Sequence, residues 1–189
     1  MMVLVVGPAG AEDLNLTRRF EKGAGSFGVQ VGMGFTDDIP SGDRPDLSFL
    51  FFFPNYQYNL TGLIGDSWYQ GTLNWHVEAG FASILNKDGE YLLGVSPLML
   101  QYKFVDPKRR WAPNFLLGAG GAYTNFDNAA KREVGGELEF LLHAGTGLEF
   151  FMDKWSYSLN YRFFHISNGG TEDPNIGLNA HVFSLGLQF

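Results

Sequence analysis

Apolar and polar side chains alternate one for one through much of this chain, the pattern of strands with two unlike faces. Between positions 72 and 81, Leu73, Trp75, Val77, Ala79 and Phe81 share one parity, and Thr72, Asn74, His76, Glu78 and Gly80 share the other. The pattern returns at 137–149, where Leu138, Phe140, Leu142, Ala144 and Leu148 oppose Glu137, Glu139, His143, Gly145 and Glu149. Eight such segments, separated by turn-forming or polar stretches, predict strands near 25–35, 46–58, 70–84, 90–104, 111–124, 137–151, 154–167 and 179–189.

Alternation fits a soluble sandwich as well as a barrel, because a sandwich would turn its charged face to solvent. Three features favour an all-β, eight-stranded antiparallel up-and-down transmembrane barrel. The links at 105–110 and 152–153 are tight, whereas those at 36–45, 125–136 and 168–178 are long and polar, as in barrels with short turns on one side and loops on the other. Trp68, Trp111 and Trp155 each fall at the start of an odd-numbered strand, which places an aromatic girdle at the short-turn rim. The last segment carries Phe183, Leu185, Leu187 and Phe189 on one parity, and an even strand count closes the sheet without an exposed edge.

Composition narrows the function. Hydrophobic residues make up 45% of the chain and aromatics 16%, with 18 Phe and 25 Gly, yet no stretch approaches the ~20 apolar residues of a membrane helix. The mean hydropathy of −0.07 would pass for a soluble protein, and it is the 18 Phe and 25 Gly that point instead to many strands with aromatic outer surfaces. Without cysteine there are no disulfides, thiol nucleophiles or Cys-ligated metals. A net charge of −7 argues against nucleic acid as a partner, and Lys108-Arg109-Arg110 reads as a solvated turn. Asp37-Asp38 and Asp106–Arg110 read as loops and turns with no chemistry attached, and no spacing implies a metal or organic cofactor. At the start, apolar Val3–Val6 and the small-x-small run Ala9-Gly10-Ala11 predict residues 1–11 as the remnant of an export signal, though one without a positive n-region. Residues 12–189 are then a single outer-membrane barrel domain.

The chemistry lies in the seventh segment. His165 and Ser167 share a parity with Phe163, Tyr161, Leu159, Tyr157 and Trp155, whereas Arg162, Asn160, Ser158 and Ser156 take the other. A nucleophile and its potential base thus sit at the end of an apolar stripe. With both termini on the periplasmic side this strand climbs outward, so the pair reaches the outer leaflet, which in a Gram-negative cell is lipopolysaccharide. Two polar groups at that rim call for a partner, whether water, headgroup or each other. Side chains two apart on a strand face are about 7 Å apart at the backbone, so a His–Ser hydrogen bond needs a twist or bulge at the strand end. The inward parity holds His76, Glu78, Glu139, His143, Glu149 and Arg162, which read as a hydrogen-bonded lumen filling.

His165-x-Ser167-Asn168-x-Gly170, followed by Pro174-Asn175-x-Gly177 and a final strand, resembles the PagL family, the lipid A 3-O-deacylases of Gram-negative outer membranes. The resemblance implies a serine esterase that releases a hydroxy fatty acid from the 3 position of lipid A, with Ser167 as nucleophile and His165 as general base. It places Asn168, Gly170 and Asn175 around the oxyanion site. The family's third catalytic residue is a Glu, and the matching position here is Asn179. An Asn oxygen can orient the imidazole but brings no charge, and Glu172 or Asp173 in the intervening loop is the alternative carboxylate. The partners implied are lipid A and the outer membrane, with monomer and homodimer both open. Two other readings stand beside the esterase. One is a non-enzymatic structural or binding barrel; the other is a soluble lipocalin-like barrel with its apolar parity inward.

Overall fold

The computed structural model describes residues 16–37, 45–126, 130 and 132–189. A short helix, α1 (Leu16–Arg19), precedes eight strands: β1 (Gly25–Thr36), β2 (Ser48–Asn59), β3 (Gly71–Ile84), β4 (Tyr91–Phe104), β5 (Trp111–Thr124), β6 (Leu138–Phe151), β7 (Ser156–Ser167) and β8 (Leu178–Gln188). They pair in sequence order, each antiparallel to the next, and β1 closes on β8 to form a barrel. The predicted segments agree with these strands to within two residues. The expected export remnant at 1–11 and Asp38 lie outside the described residues.

The outward parity is the apolar one. Leu98, Leu138 and Leu185 are 71%, 76% and 65% exposed, values that a water-facing surface would not sustain over so many neighbours. The lipocalin-like reading, which needs the apolar parity inward, is therefore excluded. Trp68, Trp111 and Trp155 lie together at the rim where the odd-numbered strands begin.

Loop lengths follow the expected alternation with two exceptions. On the short-turn side, 60–70 is long, but it folds back on the barrel wall through the Ile64–Gly71 bridge and the Tyr102 hydroxyl, which donates to the Tyr69 carbonyl at 2.7 Å. On the other side, 85–90 is short.

The lumen differs from the expected polar filling. Its short-turn half is polar: Arg162 grips Glu78 with two hydrogen bonds of 2.6 and 2.8 Å, Lys103 reaches Glu149 at 2.6 Å, and Asn and Gln side chains fill the spaces between. The opposite half is an apolar core in which Phe51, Phe53 and Phe164 stack at centroid distances of 5.1–5.9 Å against Leu92, Leu141, Ile166 and Val182. Arg162 marks the boundary, its guanidinium 5.1 Å from the centre of the Phe53 ring. The physical reason is local: the run Phe49–Phe53 is apolar in both parities, so β2 supplies aromatic rings to lipid and lumen alike. This apolar core lies directly beneath the loop-side rim that carries His165 and Ser167.

Candidate active site

The register of β7 with its neighbours arranges the site. His165 stands opposite Leu142 of β6 and Asn179 of β8, and Ser167 stands opposite Phe140. Because His165 and Asn179 are directly paired across strands, their side chains leave the same face a few ångströms apart. His165 Nδ1 meets Asn179 Oδ1 at 2.7 Å. An amide oxygen only accepts, so the ring carries its proton on Nδ1 and leaves Nε2 as the basic nitrogen. His165 and Ser167 are half-buried, and Asn179 is buried. The Ser167 hydroxyl and His165 Nε2 make no hydrogen bond to each other, and the β6–β7 register runs to Ser167 without the bulge that would bring them together.

The loop 168–177 is tied from within. Asn168 faces the lumen, 1% exposed, and its Nδ2 donates to the Glu172 carbonyl at 2.9 Å. The Gly170 N–H donates to Asn168 Oδ1 at 2.9 Å, and the Asn168 N–H donates to Asn175 Oδ1 at 3.1 Å. The two backbone donors expected near an oxyanion are thus engaged, while Asn175 keeps its Nδ2 side for other partners. Gly169, Gly170 and Gly177 all have positive φ. At Gly177 the reason is contact as well as conformation: a Cβ there would come within 2.7 Å of His165 Cε1. The Glu172 carboxylate turns toward Gly136, so Glu172 does not serve as the orienting carboxylate.

A carboxylate does stand on this face, in a place the sequence left as plain loop. Asp37, which follows β1, donates its N–H to the Asn179 carbonyl at 3.1 Å, and its Oδ2 lies 2.8 Å from His181 Nε2. His181 Nδ1 in turn lies 2.7 Å from the Tyr161 hydroxyl, and the ring stacks on Tyr161 and meets Phe163 edge-on. One signal was available: His181 shares the parity of Asn179 and Phe183. What hid the cluster was the pairing of β1 with β8, a contact between the two ends of the chain.

Beyond Phe140 the outer wall is hollowed into a trough of about 760 Å³ lined by Val95, Gly120, Gly121, Leu138, Phe140 and Thr171, where the outward-facing Gly121 of β5 puts no side chain into it. Among the described residues no group of three or more His, Asp or Glu is arranged to hold a metal.

Residues 49–188 match the family described as Lipid A 3-O-deacylase (PagL). The crystal structure of the outer membrane enzyme PagL aligns with a TM-score of 0.62 at 21% identity, covering 84% of this chain and 97% of that one. That of Neisserial surface protein A (NspA) aligns with a TM-score of 0.51 at 14% identity, covering 87% and 97%. No curated protein sequence matches the chain. The fold is that of Gram-negative outer-membrane barrels. The family match runs from β2 to the end of β8 and takes in His165, Ser167 and the loop between β7 and β8, so this chain belongs to the PagL lipid A 3-O-deacylase family.

Proposed function

We propose that this protein removes the ester-linked hydroxyacyl chain at the 3 position of lipid A in the outer leaflet, with Ser167 as nucleophile and His165 as general base. The observation that carries the reading is the His165 Nδ1–Asn179 Oδ1 hydrogen bond beside Ser167, on the lipid-facing wall at the loop-side rim. It leaves Nε2 as the only basic nitrogen of the ring, the one a base must offer.

Ser167 Oγ attacks the ester carbonyl carbon while Nε2 takes the hydroxyl proton, and the carbonyl oxygen becomes an oxyanion. Collapse breaks the bond to the sugar 3-oxygen, which leaves with the proton from Nε2 and becomes the free 3-hydroxyl of lipid A. Water, deprotonated by the same nitrogen, then attacks the acyl-Ser167 ester, releasing the hydroxy fatty acid and restoring the serine. The reaction needs His165 and Ser167 in hydrogen-bond contact, so a change of rotamer at one or both side chains accompanies substrate entry.

Asn175 donates to the oxyanion through Nδ2, and Asn168 and Gly170 act by holding Asn175 and the loop in position. The leaving acyl chain occupies the glycine-floored trough beyond Phe140, where its methylenes replace lipid contacts at little cost.

Mass spectrometry of lipid A from a Gram-negative host expressing the exported protein or its Ser167→Ala variant tests this. Loss of one ester-linked hydroxyacyl chain with the intact protein alone is the expected result. Equal loss with Ser167→Ala, or no loss with either folded protein, counts against the assignment.

A further inference from the structure

The short-turn rim meets the periplasmic leaflet, and its turns are basic although the chain as a whole is acidic. On the three turns between strands there, Lys108, Arg109, Arg110 and Lys154 stand against Asp66, Asp106 and Asp153. Two of these turns enclose a cleft of about 670 Å³ on the outer wall. One side is the segment 60–70, pinned to the wall by the Ile64–Gly71 bridge and the Tyr102–Tyr69 hydrogen bond, and it presents Ser67 and Trp68. The other side is the turn 105–110, which presents Lys108 and Arg109. The floor is Phe104, Trp111 and Pro113, which share the lipid-facing parity of β4 and β5.

The turn fixes its charges in place. Asp106 Oδ1 accepts the Lys108 N–H at 3.0 Å and Asp106 Oδ2 lies 3.1 Å from Arg109 Nε, so one carboxylate both closes the turn and aims the guanidinium. The guanidinium also lies 5.2 Å from the centre of the Trp111 ring. Among the described residues, the two terminal nitrogens of Arg109 and the Lys108 ammonium have no protein acceptor. The pair with Asp106 is solvent-exposed and therefore weak, which leaves the guanidinium open to a phosphate, the better bidentate acceptor. Across the cleft, Ser67 has φ +54°, and it is the one residue other than glycine with positive φ among the described residues. Such strain persists only where the surroundings hold it, and here it seats Trp68 beside it. Trp68 is 81% exposed, a placement that suits an indole among headgroups and not one in water.

An apolar floor under a cationic lip complements the two parts of a phospholipid at this depth, chains against the wall and phosphate at the interface. Lys108 and Arg109 against Asp106 give the lining one net positive charge, which matches one phosphodiester. A zwitterionic headgroup would bring an ammonium to a lining whose carboxylate is already engaged, whereas a glycerol headgroup adds no charge. We propose that this cleft binds one anionic glycerophospholipid of the periplasmic leaflet, its phosphate held by Lys108 and Arg109, its glycerol backbone against Trp68 and its acyl chains along Phe104 and Pro113. The cleft lies at the opposite end of the barrel from His165 and Ser167, so the inference stands apart from the esterase reading.

Native mass spectrometry of the folded barrel in detergent, titrated with phosphatidylglycerol or with phosphatidylethanolamine of the same chains, tests this. The variants are Lys108→Gln, the Lys108→Gln/Arg109→Gln double, Trp68→Ala and, on the same rim but outside the cleft, Lys154→Gln. Each is checked for folding by heat-modifiable gel mobility. The expected result is one phosphatidylglycerol retained per barrel, with a Kd about tenfold tighter than that of phosphatidylethanolamine. That preference disappears in the double variant, is reduced in Lys108→Gln and Trp68→Ala, and persists in Lys154→Gln. Should the double variant fail to fold, Lys108→Gln decides alone, because its ammonium has no part in the turn. Equal retention of the two lipids by the intact protein overturns the inference, as does an unchanged preference in the charge variants. A loss as large in Lys154→Gln overturns it too, because the attraction would then belong to the whole rim. Displacement of the lipid by an equal concentration of free glycerol phosphate also overturns it, since the cleft would then hold a phosphate and not a lipid.

Discussion

At the scale of single residues, the site depends on where small groups allow the imidazole to sit. Gly177 has φ +80° and packs against the Cε1 edge of His165, so a methyl group there both strains the backbone and displaces the ring. Gly177→Ala is expected to lower kcat at least tenfold. Gly89→Ala, at φ +77° with open space around it, carries a similar backbone cost of about 1–2 kcal/mol without touching the site and keeps its activity. Fatty-acid release by the two variants, each folded by heat-modifiable mobility, separates contact from strain. Much of this residue chemistry was legible beforehand: the parity of His165, Ser167 and Asn179 put them on one wall, and their strand registers agree with that placement. The contact between Asp37 and His181 was not legible, because a carboxylate in a loop and a histidine in a terminal strand meet only once β1 lies beside β8.

At the scale of elements, β7 works on both sides. Its outward parity carries the candidate nucleophile and base, while its inward parity carries Arg162, which joins the polar and apolar halves of the lumen. Arg162→Met leaves the buried Glu78 carboxylate without its bidentate partner, and the expected loss is about 3–5 kcal/mol in urea unfolding followed by tryptophan fluorescence in lipid vesicles. Replacing Glu78 by Gln in the same chain recovers a large part of that loss, since the uncompensated charge is then gone. Alternation identified β3 and β6 because each meets lipid on one face and polar lumen along much of the other. In the upper half of β2 the same rule had no purchase, since Phe49, Phe51 and Phe53 point inward while Leu50 and Phe52 point outward. Two apolar parities are the mark of a strand between lipid and a dry core, and nothing in the strand itself says which face is which.

At the scale of the whole molecule, the lumen is closed twice, by the ion-paired network in its lower half and by stacked phenylalanines in its upper half. Phe20, just after α1, and Phe151 pack at the lower mouth with their ring centres 5.2 Å apart. Planar-bilayer recordings of the purified protein are expected to show no single-channel openings; stepwise conductance would mean that these layers are mobile in the membrane. On the proposed esterase reading, a filled lumen backs the wall that carries His165 and Ser167 and resists its deformation as acyl chains exchange along it.

The sequence by itself determined the barrel, its strand count, the lipid-facing parity and the placement of His165 and Ser167 at one rim, because strand faces follow a period of two and that period is local. The tertiary structure alone decided that the upper lumen is apolar, that the Gly170 N–H bonds the Asn168 side chain, and that Asp37 pairs through its backbone with Asn179 beside His165. Each of these depends on which strands become neighbours and in what register, and barrel closure sets that register through contacts between residues far apart in the chain.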